Sequence, residues 1–199
     1  MSNFEENSDE FNHSHEDPFY VAALSDDAIK ELSEYCKNIP EELWKTHRSE
    51  YYDHVNDKLI EDFRLCDIHC PEFDSIPASI GKSVLDVINK KYYQMDITLY
   101  EFQILRYGVG GNFQWHSDYG VSPNKSVWRK LTLSLQLSDP EDYDGGELTI
   151  IDYFNQHCQF PKAKGSSIVF DSRCPHKASP VTKGERLALV GWANGPKLK

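Results

Sequence analysis

The stretch "QWHSDYG", residues 114–120, sets an imidazole and a carboxylate two positions apart, at His116 and Asp118. On a strand, residues i and i+2 point to the same face, so the two side chains converge and could form one corner of a metal site. The spacing is cheap by itself, because His15 and Asp17 in "HSHEDP" repeat it. The surroundings of each copy have to separate them. A further cluster, Cys66, His69 and Cys70 in "CDIHC", offers zinc-type ligands. A structural zinc needs four ligands with a partner spacing that is absent, so ordinary buried thiols are the better reading.

The elements that must carry these residues follow from the pattern of the chain. Residues 1–18 are polar and acidic without apolar periodicity and read as a disordered tail, which contains the second His-x-Asp copy. Residues 19–199 read as a single domain. Ser25 is a candidate N-cap with Asp26 and Asp27 in the first turn, and Ile29, Leu32, Cys36 and Ile39 follow at helical spacing until Pro40. A second amphipathic helix opens near Ser75 and Pro77 and sets Ile80, Val84, Val87, Ile88 and Tyr92 on one side. Between them, residues 41–73 mix aromatic and charged types and give no clear period.

From residue 97 the period becomes two. "ITLYEFQILRYG", "KLTLSLQL", "GELTII", "SSIVF" and "RLALVGW" read as strands separated by Gly, Pro, Asp and Asn clusters. Helical support over 19–95 followed by a strand-rich core over 97–196 is an α+β layout, a sandwich or jelly roll with the helices packed on one sheet. In "KLTLSLQL", Leu131, Leu133, Leu135 and Leu137 share one face and Thr132, Ser134 and Gln136 the other. The polar face meets either water or a polar ligand inside the lumen.

Composition narrows the function classes. The 199 residues carry a net charge of -11, and the six acids of the first 18 residues leave -5 for the rest. That balance argues against a nucleic-acid surface, which needs a basic stripe. No apolar run approaches the roughly 20 residues of a membrane span. "MSNFEENSDE" has neither the basic nor the apolar region of a secretory signal, and five scattered cysteines suit a reducing compartment, so a cytoplasmic protein is expected.

Around His116 the sequence "RYGVGGNFQWHSDYG" places Tyr107, Gly110, Phe113, His116 and Asp118 in the spacing Y-x-x-G-x-x-F-x-x-H-x-D. This resembles the prolyl hydroxylase branch of the iron(II)- and 2-oxoglutarate-dependent dioxygenases. The resemblance continues in "LSDPEDYDGGEL" and in "PHKASPVTKGERLALVGW", the second of which is similar to the bacterial PKHD-type hydroxylases. It implies a double-stranded β-helix, the jelly roll of that family, and an iron held by two histidines and one carboxylate. His116 and Asp118 take two of those places. The family draws its third ligand from a late histidine followed ten residues on by a basic residue, which His176 and Arg186 match. His54 and Arg64 share that spacing, but only the later pair sits in a strand-turn-strand context after the Gly-Gly strand.

The same resemblance assigns the other site residues. Arg186 can fork onto the distal carboxylate of 2-oxoglutarate, and Tyr107 adds a hydrogen bond to it. Thr132, Ser134 and Gln136 lie alongside, and Trp192 walls the iron. Asp118 matches the hydroxylating relatives rather than the halogenating ones, which lack that carboxylate. The implied reaction is hydroxylation of a C–H bond, foremost of a prolyl residue in a peptide or protein, with Fe(II), 2-oxoglutarate and O2, release of succinate and CO2, and ascorbate in support. A free amino acid or other small molecule is the alternative substrate, and a non-catalytic jelly-roll binding module the alternative class. The long connection from Tyr119 to Arg129 is read as a lid over the substrate. Oligomeric state is left open by the sequence.

Overall fold

The computed structural model of the chain describes residues 4–5, 19–120 and 127–197. Strand β1 (Phe4–Glu5) and strand β2 (Phe19–Leu24) precede helix α1 (Asp26–Lys37). The hairpin β3 (Lys45–Asp53) and β4 (Lys58–His69) follows, then helix α2 (Ile76–Ile88), which runs on into a π turn over Asn89–Tyr93. The remaining strands are β5 (Leu99–Tyr107), β6 (Asn112–His116), β7 (Trp128–Gln136), β8 (Tyr143–Gly145), β9 (Leu148–Ile151), β10 (His157–Gln159), β11 (Ser166–Asp171), β12 (His176–Ala178), β13 (Val181–Gly184) and β14 (Arg186–Gly195).

Neighbours in the main sheet run β1-β2-β11-β7-β14-β5-β4-β6-β12-β9-β10, with β3 on the free side of β4, and β8 and β13 form a separate pair. Every pairing is antiparallel. The sheet curls into a half-barrel accompanied, among the described residues, by two α-helices. On β7 the two-residue period separates two buried environments. Leu131, Leu133 and Leu135 join Leu32, Val84, Leu85, Ile88 and Leu189 in the largest apolar cluster. Thr132, Ser134 and Gln136 on the opposite face are buried too, so that face lines a polar lumen rather than open water.

The helices begin where their residues dictate. Ser25 Oγ accepts from Ala28 N at 3.4 Å, and Asp26 and Asp27 stand in the first turn of α1, where the partial positive charge of the helix end favours them. Pro77 lies in the first turn of α2, where no backbone N–H is required of it.

Residues 19–95 differ from the expected helical support. They contain β2, β3 and β4 as well as the helices, and β4 pairs with both β5 and β6. Strand β3 is exposed along most of its length on both faces, so it carries no apolar alternation from which to read a strand. A second difference is a β-bulge in β7. Arg129 pairs with Asn194 and Leu131 with Ala193, which leaves Lys130 as the extra residue and turns Arg129, not Lys130, toward Trp192.

Of the expected tail, only Phe4 and Glu5 are described, and they pair with Leu24 and Ala23 of β2. His15 and Asp17 lie outside the described residues. The centre of the expected lid, residues 121–126, lies outside them too. Its two ends are held together: Arg129 N donates to Gly120 O at 3.1 Å, and the rings of Tyr119 and Trp128 lie 5.1 Å apart.

Candidate metal centre and dicarboxylate pocket

His116 ends β6 and His176 begins β12, and antiparallel register sets these two residues opposite one another. Asp118, two residues beyond β6, completes a group whose ligand atoms all lie within 4.8 Å of one another. His116 Nε2 is 3.7 Å from Asp118 Oδ1, and His176 Nε2 is 3.5 Å from Asp118 Oδ2. Residues 60 positions apart in the chain thus reach one point because β6 and β12 are neighbours.

Each imidazole is oriented by its own strand. His116 Nδ1 lies 2.6 Å from Gln114 O and His176 Nδ1 3.0 Å from Cys174 O. A carbonyl can only accept, so each Nδ1 carries a proton and Nε2 is the nitrogen that faces the centre. Burial, then the neighbouring His176, pushes the His116 ring down to about 4, so it is neutral near pH 7. Burial alone would raise the Asp118 carboxyl, but each imidazole whenever it carries a positive charge, together with the Trp192 indole N–H and the Arg129 guanidinium, outweighs it and holds the group below the usual carboxylate range. Asp118 Oδ2 accepts from Thr132 Oγ1 and from Trp192 Nε1, each at 2.9 Å. Thr132 Oγ1 is in turn 2.9 Å from the hydroxyl of fully buried Ser172. Two imidazoles that turn Nε2 to the centre and one ionised, hydrogen-bonded carboxylate form a donor set that could hold a divalent iron with open positions.

The triad opens into a cavity of about 470 Å³, open mouth included, whose lining includes Arg186, Tyr107, Thr132, Ser134, Trp192 and Arg64. Arg186 faces Tyr107 across the β14–β5 register, 5.3 Å from the centre of its ring. Arg186 is 2% exposed, and its Nε donates to Gln136 Oε1 at 3.2 Å. No carboxylate pairs with it among the described residues. A buried guanidinium without a counter-charge is costly to leave unmatched, and its planar fork suits a carboxylate. Burial pushes the Tyr107 phenol up to about 12, which keeps it a donor. Gly146, in the left-handed region at φ 65°, approaches so closely that a Cβ there would stand 3.0 Å from Arg186 Cδ.

All nine residues singled out in the sequence lie in or against this cavity. Eight line it, whereas Gln136 stands behind Arg186 and reaches the site through that side chain. Three contributors went unread. Arg64 lies in the segment without a period, and only the pairing of β4 with β6 brings it to the cavity. Arg129 reaches Trp192, its guanidinium 3.9 Å from the ring centre, through a bulge that alternation does not reveal. Ser172 acts through Thr132, and no local pattern marks it. The "CDIHC" cysteines are free; Cys66 is buried as expected, whereas Cys70, beyond the end of β4, is exposed, and His69 Nε2 contacts Tyr35 OH at 3.2 Å.

Residues 102–194 match the family model of the 2OG-Fe(II) oxygenase superfamily. A PKHD-type hydroxylase of Pseudomonas putida is 34% identical over 133 residues, a match covering 63% of this chain and 58% of that protein. The chain therefore spans a little over half the length of this relative. Among solved structures, a Pseudomonas putida prolyl-4-hydroxylase is similar at a TM-score of 0.66 and 20% identity, over 90% of this chain and 94% of that one. A Trichoplax adhaerens prolyl hydroxylase, in complex with a hypoxia inducible factor oxygen degradation domain peptide fragment, is similar at 0.65 and 18%, over 88% and 83%. These likenesses speak to fold. The three converging candidate ligands and the unmatched arginine beside them all lie within residues 102–194, the stretch that matches the 2OG-Fe(II) oxygenase superfamily model.

Proposed function

We propose that this chain is an Fe(II)- and 2-oxoglutarate-dependent dioxygenase that hydroxylates a C–H bond, foremost of a prolyl residue in a peptide or protein. The carrying observation is the pairing, in one cavity, of the His116–Asp118–His176 group with a buried arginine that lacks a carboxylate. Iron with 2-oxoglutarate and O2 supplies the oxidising power, yielding succinate, CO2 and a hydroxylated product, with ascorbate in support. The catalytic domain in this reading starts at residue 19 and is a double-stranded β-helix with the helices against one sheet.

The chain's own residues position the reactants and keep water out. His116, Asp118 and His176 hold the iron through Nε2, a carboxylate oxygen and Nε2. Arg186 and Tyr107 anchor the far carboxylate of 2-oxoglutarate, and Gln136 keeps the Arg186 fork aligned by accepting from its Nε. Thr132 and Trp192 fix Asp118 Oδ2, so the carboxylate cannot rotate away from the iron. Ser134 and the Trp192 ring wall the cavity. A peptidyl substrate is supported by the PKHD-type relative and by the peptide bound to the Trichoplax adhaerens neighbour. No helix among the described residues is long and apolar enough to cross a bilayer.

The test incubates the full chain with Fe(II), 2-oxoglutarate and ascorbate, with prolyl peptides and free proline in parallel. Iron-dependent succinate release that disappears in His116→Ala is the expected result. A gain of one oxygen by a peptide and not by free proline supports the peptidyl substrate, and the reverse assigns a free amino acid. Absence of succinate with every substrate would leave a binding module and end the proposal.

A further inference from the structure

Six arginines are present in the chain, and all six lie among the described residues. Four pair with carboxylates: Arg48 with Asp62, Arg106 with Glu41 and Asp67, Arg129 with Glu101, and Arg173 with Asp171. Among the described residues Arg64 and Arg186 pair with none, and both line the same cavity. The chain holds 32 acidic against 21 basic residues, so two unpaired guanidiniums in one cavity do not reflect a shortage of carboxylates. Arg186 is accounted for by the distal carboxylate of 2-oxoglutarate. Arg64 is not.

Arg64 lies on β4 directly opposite Phe113 of β6, with its guanidinium carbon 4.7 Å from the centre of that ring. Phe113 stacks in turn on His116, ring centres 3.4 Å apart, so one aromatic ring separates this cation from a candidate metal ligand. The polar contacts of Arg64 are weak ones. Nε donates to Cys66 Sγ at 3.3 Å and Nη2 to Gln103 Oε1 at 3.4 Å, a thiol and a neutral amide. Nη1 makes no hydrogen bond to a described residue, and the fork has no anion to close on. Charge balance points the same way. A ferrous ion, ionised Asp118, dianionic 2-oxoglutarate and Arg186 sum to zero, so Arg64 leaves the loaded cavity one positive charge in excess.

The geometry points to Arg64 as the residue that binds a carboxylate of the substrate, held close to the carbon that reacts. This deepens the dioxygenase reading and rests on it. The carboxylate comes from an acidic side chain beside the target residue or from the α-carboxylate of a terminal or free amino acid. Either source presents the planar two-oxygen group that a guanidinium receives through paired N–H donors.

The experiment measures binding without turnover, on the full chain loaded with Zn(II) in place of iron and with 2-oxoglutarate. The neutral probe is a nine-residue peptide, blocked at both ends, with a central proline and glutamines around it. Its companions carry one glutamate in place of one glutamine at each position in turn, or end at the proline with a free carboxylate, and free proline is a further probe. At least one carboxylate-bearing probe binds roughly ten- to a hundredfold more tightly than the neutral peptide, the range for a hydrogen bond to a charged group. The responding probe identifies the source of the carboxylate. Arg64→Gln abolishes the preference and Arg64→Lys retains part of it, while the affinity of both variants for 2-oxoglutarate stays within about twofold of the parent, well short of that range.

Equal binding of neutral and acidic probes overturns the inference. So does an Arg64→Gln protein that loses 2-oxoglutarate affinity as Arg186→Gln does, since that places Arg64 on the cosubstrate. Failure of the unaltered chain to bind 2-oxoglutarate at all is a different result, and it sinks the dioxygenase reading instead.

Discussion

His116 and His176 share one local geometry, each Nδ1 on the carbonyl two residues back, and the burial of His116 has a consequence for the protein without metal. Burial lowers the His116 pKa from an ordinary 6.5 to about 4, so the folded state binds its proton less readily than the unfolded chain does. As pH falls below about 6.5 the unfolded chain takes up a proton that the folded one refuses, and stability drains away until about pH 4, where the folded ring titrates as well. The melting temperature of the metal-free protein is expected to fall through this window, and His116→Gln flattens the fall. An unchanged slope in that variant would show that other groups carry it. Gly146 gives a second prediction. Alanine there meets Arg186 Cδ at 3.0 Å and takes a left-handed backbone at a cost of about 1–2 kcal/mol. Displacing the guanidinium should weaken 2-oxoglutarate binding while metal affinity, measured with Zn(II), holds. Equal loss of both would locate the damage in the fold rather than in the anchor.

Strand β7 shows how one element supplies both core and site, and its two faces predict opposite phenotypes. Leu133 is fully buried in the largest apolar cluster, and Leu133→Ala should cost about 2–5 kcal/mol of folding stability by urea titration. Thr132, one residue away, donates to Asp118 Oδ2. Thr132→Val keeps the shape and should leave stability within about 1–2 kcal/mol, yet loosen metal binding roughly ten- to a hundredfold. A valine protein that binds metal as tightly as the parent would remove Thr132 from the support of the site. The strict alternation that separates these faces is also what made β7, β5 and β14 legible from sequence, because an inside and an outside environment stamp a period of two on the residues. That His116, Asp118 and His176 come together, with Tyr107 and Arg186 at the same cavity, was legible instead through the motif spacing that resembles a known family. The β3–β4 hairpin was not, since β3 is wetted on both sides and nothing forces its residues to alternate. Arg64 was lost with it. Its place at the cavity exists only through pairing with a strand some fifty residues on, and Arg129 went unread because one extra residue at Lys130 reverses the alternation locally.

At the scale of the molecule, the ligands are joined through the sheet rather than through the chain. His116 and Asp118 belong to the β6 end and His176 to β12, while Arg186 and Trp192 come from β14, three strands from β6 along the sheet. A ligand that needs all of them binds the assembled sheet and not the unfolded chain, so its binding free energy adds to the stability of the whole. At a hundredfold excess over its Kd, such a ligand stabilises by roughly 2.7 kcal/mol, and for a chain of this size each kcal/mol moves the melting temperature by about 2–4 °C. Zn(II) with 2-oxoglutarate, each at that excess, is therefore expected to raise the midpoint by roughly 5–10 °C or more, with 2-oxoglutarate adding nothing when the metal is absent if its affinity depends on chelation. His176→Ala is expected to remove the rise due to both, because the proposed third ligand would anchor the metal to β12. Arg186→Leu removes only the increment due to 2-oxoglutarate, since the metal still has its three ligands. A rise with Zn(II) alone that survives His176→Ala would mean that the metal sits elsewhere, on the exposed carboxylates of an acidic chain, and would separate the stabilisation from the cavity altogether.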